Sequence, residues 1–177
     1  YEKIKILRQV PGRDFEEIDV APPGGTSEQP WVSVADVDSD GRFDLFAANY
    51  GPLGFFSNRG KGAFEDRSAA WEIAIDSRYD ACAFADFDHD GRLDLYVNGT
   101  VTGGASWQDS LFRNTGSAFA DVTPPSIRKL QADHGVAWAD VDGDGHVDII
   151  TANYGRNGLF LNRGAGKFED VSGAWGA

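Results

Sequence analysis

The chain has 177 residues, 41% of them hydrophobic, with twelve Phe, five Trp and five Tyr, enough apolar side chain for the core of one ordinary domain. Its formal charge is -12, and no Lys/Arg stripe interrupts that acidity, which argues against a nucleic-acid or anionic-membrane partner. No apolar run approaches the roughly 20 residues of a membrane-spanning helix.

The first predicted element is a hairpin, with β runs at Ile6 to Gln9 and Phe15 to Asp19 about a Pro11-Gly12 turn. It aligns with residues 159 to 172, so it has the pattern of the second half of a later repeat. Pro22 to Pro30 then reads as a connection. Val32, Val34 and Ala35 lead into an acidic loop, Asp36-Val37-Asp38-Ser39-Asp40-Gly41-Arg42-Phe43-Asp44, and Leu45-Phe46 leads out of it. A second pair of strands follows at Gly54 to Ser57 and Phe64 to Arg67 around an Asn58-Arg59-Gly60 turn. The loop pattern D-x-D-x-D-G-x-x-D returns at Asp86 to Asp94 and at Asp140 to Asp148, with spacings of 50 and 54 residues. The chain is therefore a repeat protein. Its middle copy keeps Asn114 and Phe119 but inserts Gly99 to Ser106, and its last copy repeats the Asn162-Arg163-Gly164 turn and the Phe168-Glu169-Asp170 segment.

Short apolar runs bounded by Asp/Gly turns are strands, and no segment carries a helical period. The predicted fold is all-β, built of four-stranded antiparallel units whose first two strands are joined by the acidic loop. The units divide as residues 1–30 (a half unit of two outer strands plus linker), 31–79, 80–133 and 134–177, about three and a half repeats in all. The lack of Met and the start at Tyr1 point to a mature product, a fragment or a chain with its start removed. No leader with a basic start and an apolar middle is visible, and targeting information is expected to have been lost with such a start.

Four carboxylates on alternate residues of a tight loop repel one another unless a hard cation sits among them, and oxygen ligands on a flexible loop suit calcium. Three bound divalent ions would bring the formal charge from -12 to -6. Asp and Gly also form ordinary solvated turns, but a turn does not require Asp at four positions in three copies. Gly41, Gly91 and Gly145 suit a sharp reversal around an ion, where a residue without Cβ takes positive φ at little cost. The EF-hand is a poor match, because its bidentate Glu at the twelfth position is here Ala47, Val97 or Thr151.

The loop, the following Asp-Leu-x-x-x-Asn, the Leu-Phe-x-Asn-x-Gly hairpin and the Phe-x-Asp-Val-Thr/Ser segment resemble FG-GAP/VCBS repeats, of the kind seen in ASPIC/UnbV-like proteins and integrin alpha propellers. The resemblance covers nearly the whole chain from about Ile4. It implies β-propeller blades with Ca2+ in the hairpin loop between the first two strands, and hence three sites. The side-chain ligands it implies are Asp36, Asp38, Asp40 and Asp44, then Asp86, Asp88, Asp90 and Asp94, then Asp140, Asp142, Asp144 and Asp148. Arg42, Arg92 and His146 would each offer a backbone carbonyl.

Three and a half blades fall short of the about four to eight that close a propeller. The chain is then part of a larger propeller, or a homo-oligomer or polymer formed through the incomplete N-terminal blade. No nucleophile elbow, phosphate loop or His-x-x-x-His pair appears, so no catalysis is expected. His89 and His146 lie at variable positions of the acidic loops, and His134 is expected to be structural or at the surface. Trp71, Trp175 and Trp138 fall at repeat positions and are expected to pack between blades. Trp107 and Gln108, beside the inserted loop with Gly103 and Gly104, are the candidate contacts for a glycan or protein ligand. Asn98-Gly99-Thr100 is a glycosylation sequon, making Asn98 a candidate acceptor. The single Cys82 aligns with Val32 and Val136 and reads as a small buried apolar residue. The functional expectation is an extracellular, calcium-rigidified structural, self-assembling or adhesive module; the alternative is a carbohydrate- or ligand-binding piece of a closed propeller.

Overall fold

A computed structural model describes residues 4–12, 15–20, 31–48, 50–102, 105–128 and 133–174. The Pro22 to Pro30 connection, Gly103, Gly104 and Trp175 lie outside the described residues. The protein is all-β, and no helix among the described residues is long and apolar enough to cross a membrane.

A two-stranded antiparallel sheet opens the chain, β1 (Ile4–Gln9) with β2 (Phe15–Val20). Blade 1 is β3 (Trp31–Ala35), β4 (Asp44–Ala48), β6 (Gly54–Gly60) and β7 (Ala63–Asp66), hydrogen-bonded in that order. Blade 2 is β8 (Asp76–Ala85), β9 (Asp94–Gly99), β12 (Ser110–Asn114) and β13 (Phe119–Asp121), and blade 3 is β14 (Asp133–Ala139), β15 (Asp148–Asn153), β16 (Gly158–Asn162) and β17 (Phe168–Asp170). The inserted loop of blade 2 carries a small hairpin of its own, β10 (Val101–Thr102) with β11 (Ala105–Ser106).

One departure from the four-stranded expectation is β5 (Tyr50–Pro52), which follows β4 in the chain yet pairs with β8 of the next blade, Tyr50 opposite Arg78 and Pro52 opposite Asp76. Blade 2 is thereby five-stranded, and its inner strand starts at Asp76.

The second strand of each blade shows why the blades stack. A strand turns alternate side chains to opposite faces, so a strand covered on both sides is apolar at successive positions. In β4, Leu45 and Ala47 pack with Ile4, Val20 and Phe56 beneath the N-terminal hairpin, whereas Phe46 and Ala48 join the core shared with blade 2. In β9, Leu95 and Val97 face the blade 1 side and Tyr96 faces blade 3. Trp71 fulfils its expected packing role: it lies 4.9 Å from Phe55 and 5.5 Å from Phe119 of blade 2, ring centre to ring centre. Trp138 sets its indole edge-on to Tyr96 of blade 2 at 6.2 Å. Cys82 is buried as expected, and that burial pushes its thiol up to about 12.

Candidate metal centre

In each blade the acidic loop leaves the first strand and enters the second, so all three loops lie at the same end of the sheets. The first Asp organises the turn: Asp36 Oδ1 accepts from the Asp40 amide at 3.0 Å and its Oδ2 from the Gly41 amide at 3.0 Å. Asp86 repeats this with Asp90 and Gly91, and Asp140 with Asp144 and Gly145. The reversal uses left-handed backbone at Gly41, Gly91 and Gly145, with φ of +84°, +85° and +92°. The fourth loop position is left-handed too, at Ser39, His89 and Gly143.

Folding brings Asp36, Asp38 and Asp40 together, each with a carboxylate oxygen within 4.8 Å of the others, and does the same for Asp86, Asp88 and Asp90 and for Asp140, Asp142 and Asp148. Two oxygens that share one calcium at about 2.3–2.6 Å stand no more than roughly 5 Å apart, so all three groups have the right spread. Asp38 adds a sharper observation: its Oδ1 is buried and receives no hydrogen bond, while Oδ2 accepts from Ser57 Oγ at 2.9 Å. A buried carboxylate oxygen without a donor is costly, and a cation at that point removes the cost. The residues present therefore fit a hard divalent ion.

The ninth Asp has a second task that the pattern did not reveal. Asp44 is fully buried, taking the Val37 amide on Oδ2 at 3.0 Å and the Asn58 amide on Oδ1 at 2.8 Å. Asp94 and Asp148 make the same two bonds, to Phe87 and Asn114 and to Val141 and Asn162. Each carboxylate oxygen still has a free lone pair, but in the first two loops the ninth Asp stands outside the tight group, and only Asp148 joins one. Burial raises the pKa of both Asp44 and Asp94, the latter to about 7; the bonded amides oppose the shift, and the neighbouring loop carboxylates add to it.

Cationic side chains also attend the loops. Arg42 pairs with Asp40 and sends its Nε to the Asn58 carbonyl at 2.6 Å, and Arg92 repeats this with Asp90 and the Asn114 carbonyl at 2.8 Å. In the third loop, where His146 replaces the Arg, Arg163 reaches in from the next hairpin to Asp142 at 2.7 Å. His146 instead meets His89 of the neighbouring loop, Nδ1 to Nε2, at 3.1 Å.

Residues that the loop pattern did not single out join one loop to the next. Asn114 of blade 2 donates its side-chain amide to the Val37 carbonyl of the blade 1 loop at 2.9 Å, and Asn162 of blade 3 donates to the Phe87 carbonyl of the blade 2 loop at 2.9 Å. The sequence showed these asparagines only as turn formers. Their recurrence at a fixed distance after each loop was the available signal.

At the opposite end of the strands, Arg78 lies 4.9 Å over the Trp107 ring, with Gln108 exposed beside it. His134 and Asp80, which align in the repeat, meet with Nδ1 3.0 Å from the carboxylate, and His134 stands edge-on to the exposed Tyr154. One expectation is corrected here. Asn98 is 0% exposed and Thr100 2%, because the sequon lies on the last buried turns of β9 and its exit. The folded blade has no room for a glycan at Asn98.

The model of the FG-GAP-like repeat matches residues 36–97, 100–151 and 140–177. The chain belongs to the FG-GAP-like repeat family. It is 31% identical to mouse cartilage acidic protein 1 and 30% identical to the human protein, in each case over 141 residues and 70% of this chain. It spans only 22% and 21% of those two relatives. A solved lectin of Agrocybe aegerita, described as recognising non-reducing terminal N-acetylglucosamine, superposes with a TM-score of 0.58 at 22% identity, covering 93% of this chain and 45% of the lectin. That likeness supports the architecture, a partial β-propeller.

Proposed function

We propose that this FG-GAP-like chain is an extracellular module whose three acidic loops each take one Ca2+, and that it has no catalytic activity of its own. The observation that carries the reading is the donor-free, buried Oδ1 of Asp38 within a carboxylate group that recurs in all three blades. Bound calcium would supply charge neutralisation and stiffness, holding the hairpin between first and second strands in one geometry. Affinities on the order of 10⁻⁴ to 10⁻³ M suffice outside a cell. Arg42, Arg92 and His146 occupy the place of the carbonyl ligands in this scheme. Equilibrium dialysis against calcium tests it. About three ions per chain are expected, with one lost for each of Asp36→Asn, Asp86→Asn and Asp140→Asn; no uptake above a protein blank rejects the reading.

A structural, self-associating role is favoured by one further observation. Val34 is 58% exposed and Val32 38%, although the residues aligned with them, Phe84 and Cys82 in blade 2 and Trp138 and Val136 in blade 3, pack against a preceding blade. The open face is suited to a second copy or to more of the same propeller. Light scattering in millimolar calcium and again in EGTA decides it: assemblies that soften on chelation support association, and a 19.1 kDa species in both sinks it. The glycan-binding alternative draws on the lectin's fold and on Trp107 and Gln108 at the inserted loop. Binding that survives deletion of residues 1 to 20 supports it.

A further inference from the structure

Comparison of the three blades at matched register exposes one place where blade 1 has been altered. Ser57, Arg113 and Leu161 are equivalent, one residue after the Phe that pairs with Asp66, Asp121 or Asp170. Arg67, Val122 and Val171 are equivalent as well, because each amide bonds the carbonyl of the matching residue, Phe55, Leu111 or Leu159. Two blades place an aliphatic side chain at this second position; blade 1 places a guanidinium.

That guanidinium lines a cleft of about 240 Å³ between blades 1 and 2, together with Asp38, Ser57, Arg59, Trp71 and, from the blade 2 hairpin, Ser117. Arg67 Nε is buried and has no hydrogen-bond partner, and the nearest carboxylate, Glu65, is 3.7 Å from Nη1. Glu65 is engaged more closely by Arg59, at 2.6 Å. The Arg67 side chain is 36% exposed and lines the cleft, so while its Nε is buried the rest of the guanidinium is open to an anion. We propose that this cleft binds a small carboxylate, held by Arg67 with the Ser117 hydroxyl as a second donor, while Ser57 stays bonded to Asp38. The inference rests on the calcium reading at one point: with Asp38 committed to an ion, the charge left in the cleft is positive. The volume suits an acidic monosaccharide or an acidic side chain.

The test is an NMR titration of the ¹⁵N-labelled chain in millimolar calcium, following Arg67 Nε–H and the Ser117 amide, with glucuronate, N-acetylaspartate and neutral glucose as probes. Bound calcium is counted on the same sample. Saturable shifts with either acid and none with glucose are expected. A response to glucuronate alone identifies a uronate site, to N-acetylaspartate alone an acidic side-chain site, and to both a site that reads the carboxylate itself. Arg67→Val installs the residue of the other two blades and should preserve the fold while weakening binding by at least about tenfold. Arg67→Lys, which keeps the charge but removes the planar guanidinium fork, should fall between. Equal shifts with glucose, or undiminished binding by Arg67→Val, overturn the proposal. If calcium binds and no acid does, this inference alone fails; if acids bind without calcium uptake, the cleft stands and the calcium reading falls; if neither binds, both fall.

Discussion

Val34, Phe84 and Trp138 occupy one position in three inner strands, two residues before the first loop Asp, yet they meet different surroundings. Phe84 lies 5.7 Å from Phe46 of blade 1, and Trp138 lies 6.2 Å from Tyr96 of blade 2. Among the described residues Val34 has no such neighbour, because the N-terminal hairpin covers β4 through Leu45 and Ala47 and pairs only with itself there. The asparagines tell the same story: Asn114 and Asn162 each reach the preceding loop and are fully buried, whereas Asn58 donates within its own blade, to the Phe43 carbonyl. Stability in this architecture thus comes from junctions, and the side chain at a given repeat position is worth what the neighbouring blade makes of it.

The sharpest way to break that contrast is truncation at the two ends. Trp138→Ala should cost about 3 kcal/mol, through lost packing and an unfilled gap, whereas Val34→Ala should stay within about 0.5 kcal/mol; urea denaturation of both variants measures the difference. Next in size, Asn114→Ala and Asn162→Ala each abandon a buried carbonyl on the preceding loop and should cost about 2 kcal/mol, against about 1 kcal/mol for Asn58→Ala. Equal losses at all three asparagines would remove the case for a loop-to-loop clamp.

Proton competition sharpens the comparison in another way. The raised pKa of Asp94, from 3.8 to about 7, means that the folded, calcium-free state holds this proton more tightly than the unfolded chain. Its contribution is fully present below the unfolded value and is lost as pH rises through about 7. In EGTA the urea midpoint should therefore fall between pH 5 and pH 8, and Asp94→Asn should reduce that fall. Calcium requires the ionised carboxylate, so uptake by the second loop should move the opposite way and weaken below about pH 7. The smallest effect on stability belongs to Val34→Lys, within about 0.5 kcal/mol, but it should abolish any association through the open face seen by light scattering.

The acidic loops were legible because their spacing is local: nine consecutive residues carry the geometry, and three copies remove chance. Strand order within a blade was legible for the same reason, since hairpins pair neighbours in sequence. What escaped depends on residues brought together from different repeats. The bond from Asn114 to Val37 spans 77 positions, and the contact between His89 and His146 spans 57. The sequon at Asn98 misled because a three-residue pattern contains no information about burial, and here it falls on a strand covered from both sides. The ninth Asp was recognised as an acid but not as the acceptor of two backbone amides, a role set by where β6, β12 and β16 pass.

The crossing of β5 makes the unit of sequence different from the unit of architecture. Tyr50 to Pro52 belong to the first repeat by sequence position and to the second blade by hydrogen bonding. A genetic duplication cut at the repeat boundary would carry this strip away from the sheet it completes. A cut placed just before it would keep donor and recipient together. For anyone recombining such repeats, the useful splice point lies inside the repeat, and the seam between blades 1 and 2 is sewn by the main chain as well as by side chains.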